Sequence, residues 1–164
     1  MSTRASLLTL IQELEGDHRQ LQRAWELNQR AWERIEAGAQ HALDWGALAF
    51  TLHMAYGILE GYFLRISKFY ENDLPAERWH RTLVERMALD IPGVRPALLT
   101  DDALRRATLE LLGFRHRFRH LYGEELDAEK TSRVQQSAGL LAARFAALHQ
   151  ALVRKLAAIG EELA

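Results

Sequence analysis

Leu7, Ile11, Leu14, His18, Leu21, Trp25, Asn28, Trp32 and Ile35 succeed one another in alternating steps of four and three residues. An α-helix turns once in about 3.6 residues, so that spacing lays the whole set along one face, whereas a strand needs a period of two. Ser2, Thr3 or Ser6 is placed to cap the start of this helix, and Gly38 punctuates its end. The same regularity suits a coiled-coil seam, but Trp and His at seam positions favour packing inside a bundle.

The rest of the chain continues in helical segments. From about Asp44 to Tyr70 the residues are apolar nearly all round (Leu48, Leu52, Leu59, Phe63 and Ile66 among them), which predicts the central, most buried helix. Its polar exceptions are His53, Glu60 and Arg65. Asn72-Asp73-Leu74-Pro75 ends it and opens a shorter helix through Trp79, Leu83 and Met87, with Pro75 near the first turn. Ile91 to Pro96 holds two prolines and a glycine and reads as a structured loop. Thr100 or Asp101 caps a fourth helix with the stripe Leu104, Ala107, Leu111, Phe114, Phe118 and Leu121, and Gly123 is a natural stop. Asp127 caps the last, whose stripe is Val134, Ala138, Leu141, Phe145, Leu148, Leu152, Leu156, Ile159 and Leu163. The expected fold is all-α: an up-and-down bundle of four long helices plus one short helix, in a single domain spanning residues 1–164.

Composition narrows the chemistry. Cysteine is absent, which removes disulfides, thiolate nucleophiles and Cys-ligated zinc together. The N-terminus runs straight into an amphipathic pattern carrying Glu13 and Glu15, and no stretch approaches 18 uncharged apolar residues, so the expectation is a soluble cytoplasmic protein with no membrane partner. A formal net charge of −1 argues against broad coating of nucleic acid and leaves room for one local basic site.

That site is visible at Arg115 to Tyr122, where three arginines, two histidines and a phenol crowd together. Between Arg105 and Tyr122 five arginines stand against one acid, Glu110. Like charges three or four residues apart on a helix repel, so a purely structural helix gains nothing from this spelling. Basic side chains do interact favourably with the negative end of a helix dipole, which explains part of Arg117, Arg119 and His120 as a solvated face. On the helix Arg115 and Arg119 share one flank and His116 and His120 another. Arg115 and His120 converge only if the helix ends near His120. A phosphodiester is the anion that fits, because arginine binds phosphate oxygens in pairs and histidine exchanges protons near neutrality. Together they suffice for attack of a ribose 2′-hydroxyl on the adjacent phosphate, which RNA permits and DNA does not.

A metal is the competing reading. His116 and His120 stand four apart and Glu124 four further on, a spacing able to serve zinc. Gly123 interrupts the helix before Glu124, and the neighbouring arginines repel a dication. Neither metal nor cofactor is expected at this site.

At these residues the sequence resembles the HEPN superfamily, and more narrowly the HepT-like ribonuclease toxins of bacterial toxin–antitoxin pairs. The family signature, R-x-x-x-x-H-x-Y at the end of a bundle helix, reads here Arg115, four residues, His120, Leu121, Tyr122, with His116 in the polar place after the arginine. The spelling from Phe114 to Gly123, preceded by Trp79-His80 and the loop from Ile91 to Pro96, is similar to one HepT-like subgroup over roughly residues 50–160. The resemblance implies a helical homodimer whose two motifs face each other across a cleft and cut RNA without metal, Arg115 and His120 being catalytic. It implies a partner as well: a nucleotidyltransferase antitoxin of the MNT type that transfers AMP to the motif tyrosine, here Tyr122. An added AMP carries bulk and negative charge into a phosphate site, a sensible way to silence it. His116, Arg117 and Arg119 are expected to support the site or hold phosphate, and Glu60 to pair with Arg115.

Two other functions fit the same residues: a non-catalytic HEPN module that binds a nucleotide or partner protein in the cationic cleft, and a helical metal-binding protein using His116, His120 and Glu124. Trp25, Trp32, Phe63, Phe69 and Phe145 read as core or dimer surface. His18, His53 and His149 read as lone helix histidines, hydrogen-bonded rather than catalytic.

Overall fold

The computed structural model describes residues 3–120 and 126–163. They form α1 (Arg4–Glu36), α2 (Ala42–Tyr70), α3 (Trp79–Met87), α4 (Asp102–Arg119) and α5 (Ala128–Glu162), with no strand among the described residues. The fold is all-α, four long helices and one short. Each long helix starts at a side chain that replaces a missing backbone partner. Thr3 and Ser6 form a reciprocal box, the His41 ring accepts from Leu43 N at 3.1 Å, Asp101 accepts from Leu104 N at 2.9 Å, and Asp127 accepts from Lys130 N at 3.0 Å.

Side-chain pairing fixes the helix directions. Arg34 pairs with Asp44 and Asp17 with Arg65, so α1 and α2 run antiparallel. Glu60 meets Arg115 while His53 packs on Phe118, which makes α2 and α4 antiparallel. Asp101 reaches Arg144 and Arg117 lines a groove with Lys130, so α4 and α5 are antiparallel too. The order is up, down, up, down, with α3 inside the α2–α4 connection.

α2 is central, as its composition predicts: it touches each of the other four helices. By length and composition alone it is apolar enough to cross a membrane, but 56% of its most apolar window is buried within the bundle, which accounts for that character. It is not buried all round. Leu48, Leu52, Leu59, Tyr62, Phe63 and Ile66 are enclosed, whereas Phe50 is 54% exposed and Met54, Ile58 and Leu64 are half-buried.

Three boundaries differ from expectation. Pro75 lies outside the first turn of α3, because the chain bends over residues 76–78 and enters the helix from Arg78 in the left-handed region (φ 55°). α4 ends at Arg119, before Gly123, which lies outside the described residues together with Leu121. On α5 the buried seam passes through Val134, Ala138, Leu141, Phe145, His149, Leu152, Leu156 and Gly160, leaving Leu148 and Ile159 half-buried and Leu163 exposed. After Phe145 and again after Leu156 the observed seam steps by four where the expected one steps by three, which carries His149 and Gly160 inside.

A buried polar knot joins three helices. The Asn28 amide donates to Gln135 Oε1 at 2.9 Å and to Thr51 Oγ1 at 3.0 Å, and Gln135 Nε2 donates back to Asn28 Oδ1 at 2.8 Å. Buried Arg95 pins the 91–96 loop by pairing with Glu71 and donating to the Arg86 and Leu89 carbonyls.

Candidate active site at the C-terminal end of α4

The middle of α2 places one carboxylate where water is nearly absent. Glu60 is 5% exposed, and a charge at such a place needs partners. Two helices supply them: Arg115 Nη1 of α4 donates to Oε1 at 2.9 Å, and His80 Nδ1 of α3 lies 2.7 Å from Oε2. His80 is set at the first turn of α3 by the left-handed Arg78 and stacks on Trp79, with ring centroids 3.6 Å apart. The Tyr56 ring lies under the Arg115 guanidinium, Cζ to centroid 5.8 Å, and burial followed by the charge of Glu60 pushes its phenol well up, so it stays protonated. Arg115 Nε is buried without a hydrogen-bond partner among the described residues. The guanidinium therefore reaches this position with donors still unused.

α4 ends one turn further on. His120 is its C-cap, donating its backbone N–H to the Arg117 carbonyl at 3.0 Å, so the condition for Arg115 and His120 to share one end of the bundle is met. Both His116 and His120 are exposed, their rings edge to face with centroids 5.0 Å apart. Among the described residues no hydrogen bond joins Arg115 to His120.

The basic cluster divides by direction. Arg105 is taken up by Asp102 at 2.8 Å and Glu85 at 3.0 Å, and Arg106 by Asp102 at 3.0 Å, so two of the five arginines are locally compensated. Arg115 and Arg119 share a flank and bracket His53, whose pKa is lowered by burial first and then by those two charges. The His53 ring packs 5.4 Å from that of Phe118, and its buried Nδ1 has no hydrogen-bond partner among the described residues. Arg117 points elsewhere. With Lys130, Arg133, Glu110 and Ser137 it lines an open groove of about 650 Å³ between α4 and α5. The two arginines expected to grip phosphate together thus serve different surfaces.

Of the sequence candidates, Glu60 and Arg115 are brought into contact, Arg119 acts with Arg115 on His53, His116 and His120 stand exposed at the helix end, and Arg117 lines another groove. Tyr122 and Glu124 lie outside the described residues. Sequence reasoning passed over three contributors: His80 as the second partner of Glu60, Tyr56 beneath the guanidinium, and His53 as a wall of the site. The signal available for His80 was its place in the Trp79-His80 spelling beside a buried acid that needed partners.

No curated protein and no solved structure matches the chain. A family model described as HepT-like protein matches residues 47–156, the stretch that carries Glu60, His80, Arg115 and His120. The chain therefore belongs to the HepT-like family.

Proposed function

We propose that the protein is a metal-independent endoribonuclease toxin that acts in the cytoplasm as a homodimer. The observation that carries this reading is the anchoring of Arg115 on buried Glu60 one turn before α4 stops at exposed His120. In the proposed reaction His120 takes the proton of a ribose 2′-hydroxyl and the 2′-oxygen attacks the adjacent phosphorus. Arg115 neutralises the charge that gathers on the phosphoryl oxygens. The 5′-oxygen leaves with a proton from a second acid, a role proposed for His116 or for the histidine of the other protomer, so the products are a 2′,3′-cyclic phosphate and a 5′-hydroxyl. Arg119 extends the phosphate contact on the same flank, and Arg117 holds RNA running into the α4–α5 groove. Glu60 positions Arg115.

Control is proposed at Tyr122, two residues beyond His120, through AMP transfer by a cognate MNT-type nucleotidyltransferase antitoxin. Expression of the chain alone is expected to arrest bacterial growth, and His120→Ala to relieve the arrest. Purified dimer is expected to cleave RNA in EDTA and leave cyclic phosphate ends. Intact RNA with wild-type protein, and equal harmlessness of both forms in cells, sinks the nuclease reading and leaves a non-catalytic HEPN module that binds through the same cationic surface.

A further inference from the structure

A second group of chemically capable side chains sits on the opposite side of α2. Successive helix residues turn by about 100°, so Glu60 and Tyr62 project roughly 200° apart. Where Glu60 serves α3 and α4, Tyr62 serves α1 and α5: its hydroxyl is 2.8 Å from His149 Nδ1. The His149 ring stacks on His18 with centroids 4.2 Å apart. Its other nitrogen, Nε2, lies 3.2 Å from Glu15 Oε2. That approach lacks hydrogen-bonding alignment, so Nε2 of a side chain only 2% exposed has no hydrogen-bond partner among the described residues.

The donor atoms of Glu15, His18 and His149 all lie within 4.8 Å of one another. Bonds of about 2.0 Å in a tetrahedral zinc site separate neighbouring donors by about 3.3 Å, close to the Glu15–His149 spacing and reachable by a small closure elsewhere. Glu15 and His18 are three apart on one helix face and His149 crosses from α5, and ligation by both imidazoles requires the two stacked rings to rotate until their lone pairs converge. We propose that Glu15, His18 and His149 form a site for a divalent ion of the zinc type, clamping α1 to α5.

The surroundings fit that assignment. The Tyr62 hydroxyl occupies the outer nitrogen of His149, the role an orienting partner plays behind a ligating histidine. Phe145 closes one side of the cluster, 5.9 Å from the His18 ring and 5.2 Å from the Tyr62 ring. Access comes from a groove of about 310 Å³ lined by His18, Gln22, Trp25, Glu26 and Phe145. Three protein donors leave one position for water on that side. The ion sits away from Arg115 and His120, so its role is to brace the bundle and its existence does not depend on the nuclease reading.

The test is calorimetric titration of zinc chloride into the full-length protein stripped with EDTA, with magnesium chloride as the control. One zinc per chain is expected, with a rise in melting temperature, and no response to magnesium. His18→Ala and Glu15→Gln are expected to abolish binding, and Tyr62→Phe to weaken it about tenfold. Glu15 is partly exposed, so Glu15→Gln keeps the test valid if a histidine variant fails to fold. A His116→Ala/His120→Ala double variant is expected to bind zinc as the wild type does. The proposal is overturned by absence of saturable zinc binding, by unchanged affinity in Glu15→Gln and His18→Ala, or by loss of binding in the His116/His120 variant.

Discussion

Glu60 holds Arg115 at 2.9 Å from a position almost wholly inside the bundle, so the strongest cation of the candidate site is oriented from within the core. An arginine tethered in this way loses little freedom when it meets a phosphate. Glu60→Ala is expected to lower RNA cleavage steeply and to destabilise the fold by about 3 kcal/mol, since it strands a largely buried guanidinium. Urea denaturation and cleavage of a fluorescent RNA measure the two effects. A full retention of both contradicts the anchoring role.

His80 is the other partner of the same carboxylate. His80→Ala leaves Glu60 Oε2 short of a hydrogen bond and is expected to cost about 2 kcal/mol. Because the two partners share one carboxylate, the effects of His80→Ala and Arg115→Ala should not add. A double-mutant cycle on unfolding free energy checks this, strict additivity being the adverse outcome.

The Asn28–Thr51–Gln135 knot makes a sharper stability prediction. Asn28→Ala leaves the Gln135 amide unsatisfied in the core and is expected to cost about 2 kcal/mol. Replacing Asn28 and Gln135 together by leucine should cost less than Asn28→Ala alone, because no orphaned polar group remains. Chemical denaturation of the three proteins orders them.

Stability should also depend on pH. His18 and His53 both titrate below the ordinary 6.5 in the folded state, burial being the first cause in each. The unfolded chain thus binds protons at a higher pH than the native one, so their contribution is complete above 6.5 and is lost as pH falls toward the native values. His18 faces Glu15 on its own helix and His149 across from it, while His53 faces Arg115 and Arg119. The melting temperature is expected to fall between about pH 7.5 and about pH 5.5, and less so in His53→Gln, a comparison made without added metal. A flat profile in the wild type refutes it.

Much of this was legible in the sequence because the informative signals were local. Caps at Thr3, Asp101 and Asp127 and the stripes of α1 and α4 depend on residues within a few positions of one another, and helix physics converts them directly into structure. The Glu60–Arg115 pair was legible for another reason: a lone acid among apolar neighbours requires a cation, and the basic cluster was the evident source. What escaped came from long-range assembly. His18 and His149 each read as solitary, and only antiparallel packing of α1 on α5 stacks them. His149 was further hidden because apolar Leu148 beside it reads as the seam residue. Helix geometry alone turns Arg117 and Arg119 about 200° apart, but which surface Arg117 meets shows only once α5 is in place.

The two faces of α2 make its length intolerant of change. One residue inserted between Glu60 and Tyr62 turns everything beyond it by about 100° relative to everything before. The anchor for Arg115 and the bond to His149 cannot both survive such a turn, although each lies on a different face of the helix. Point changes at exposed Phe50 or Gly57 leave that phase intact. α2 therefore behaves like a keyed shaft, on which the end of α4 and the α1–α5 seam hold a fixed angular setting.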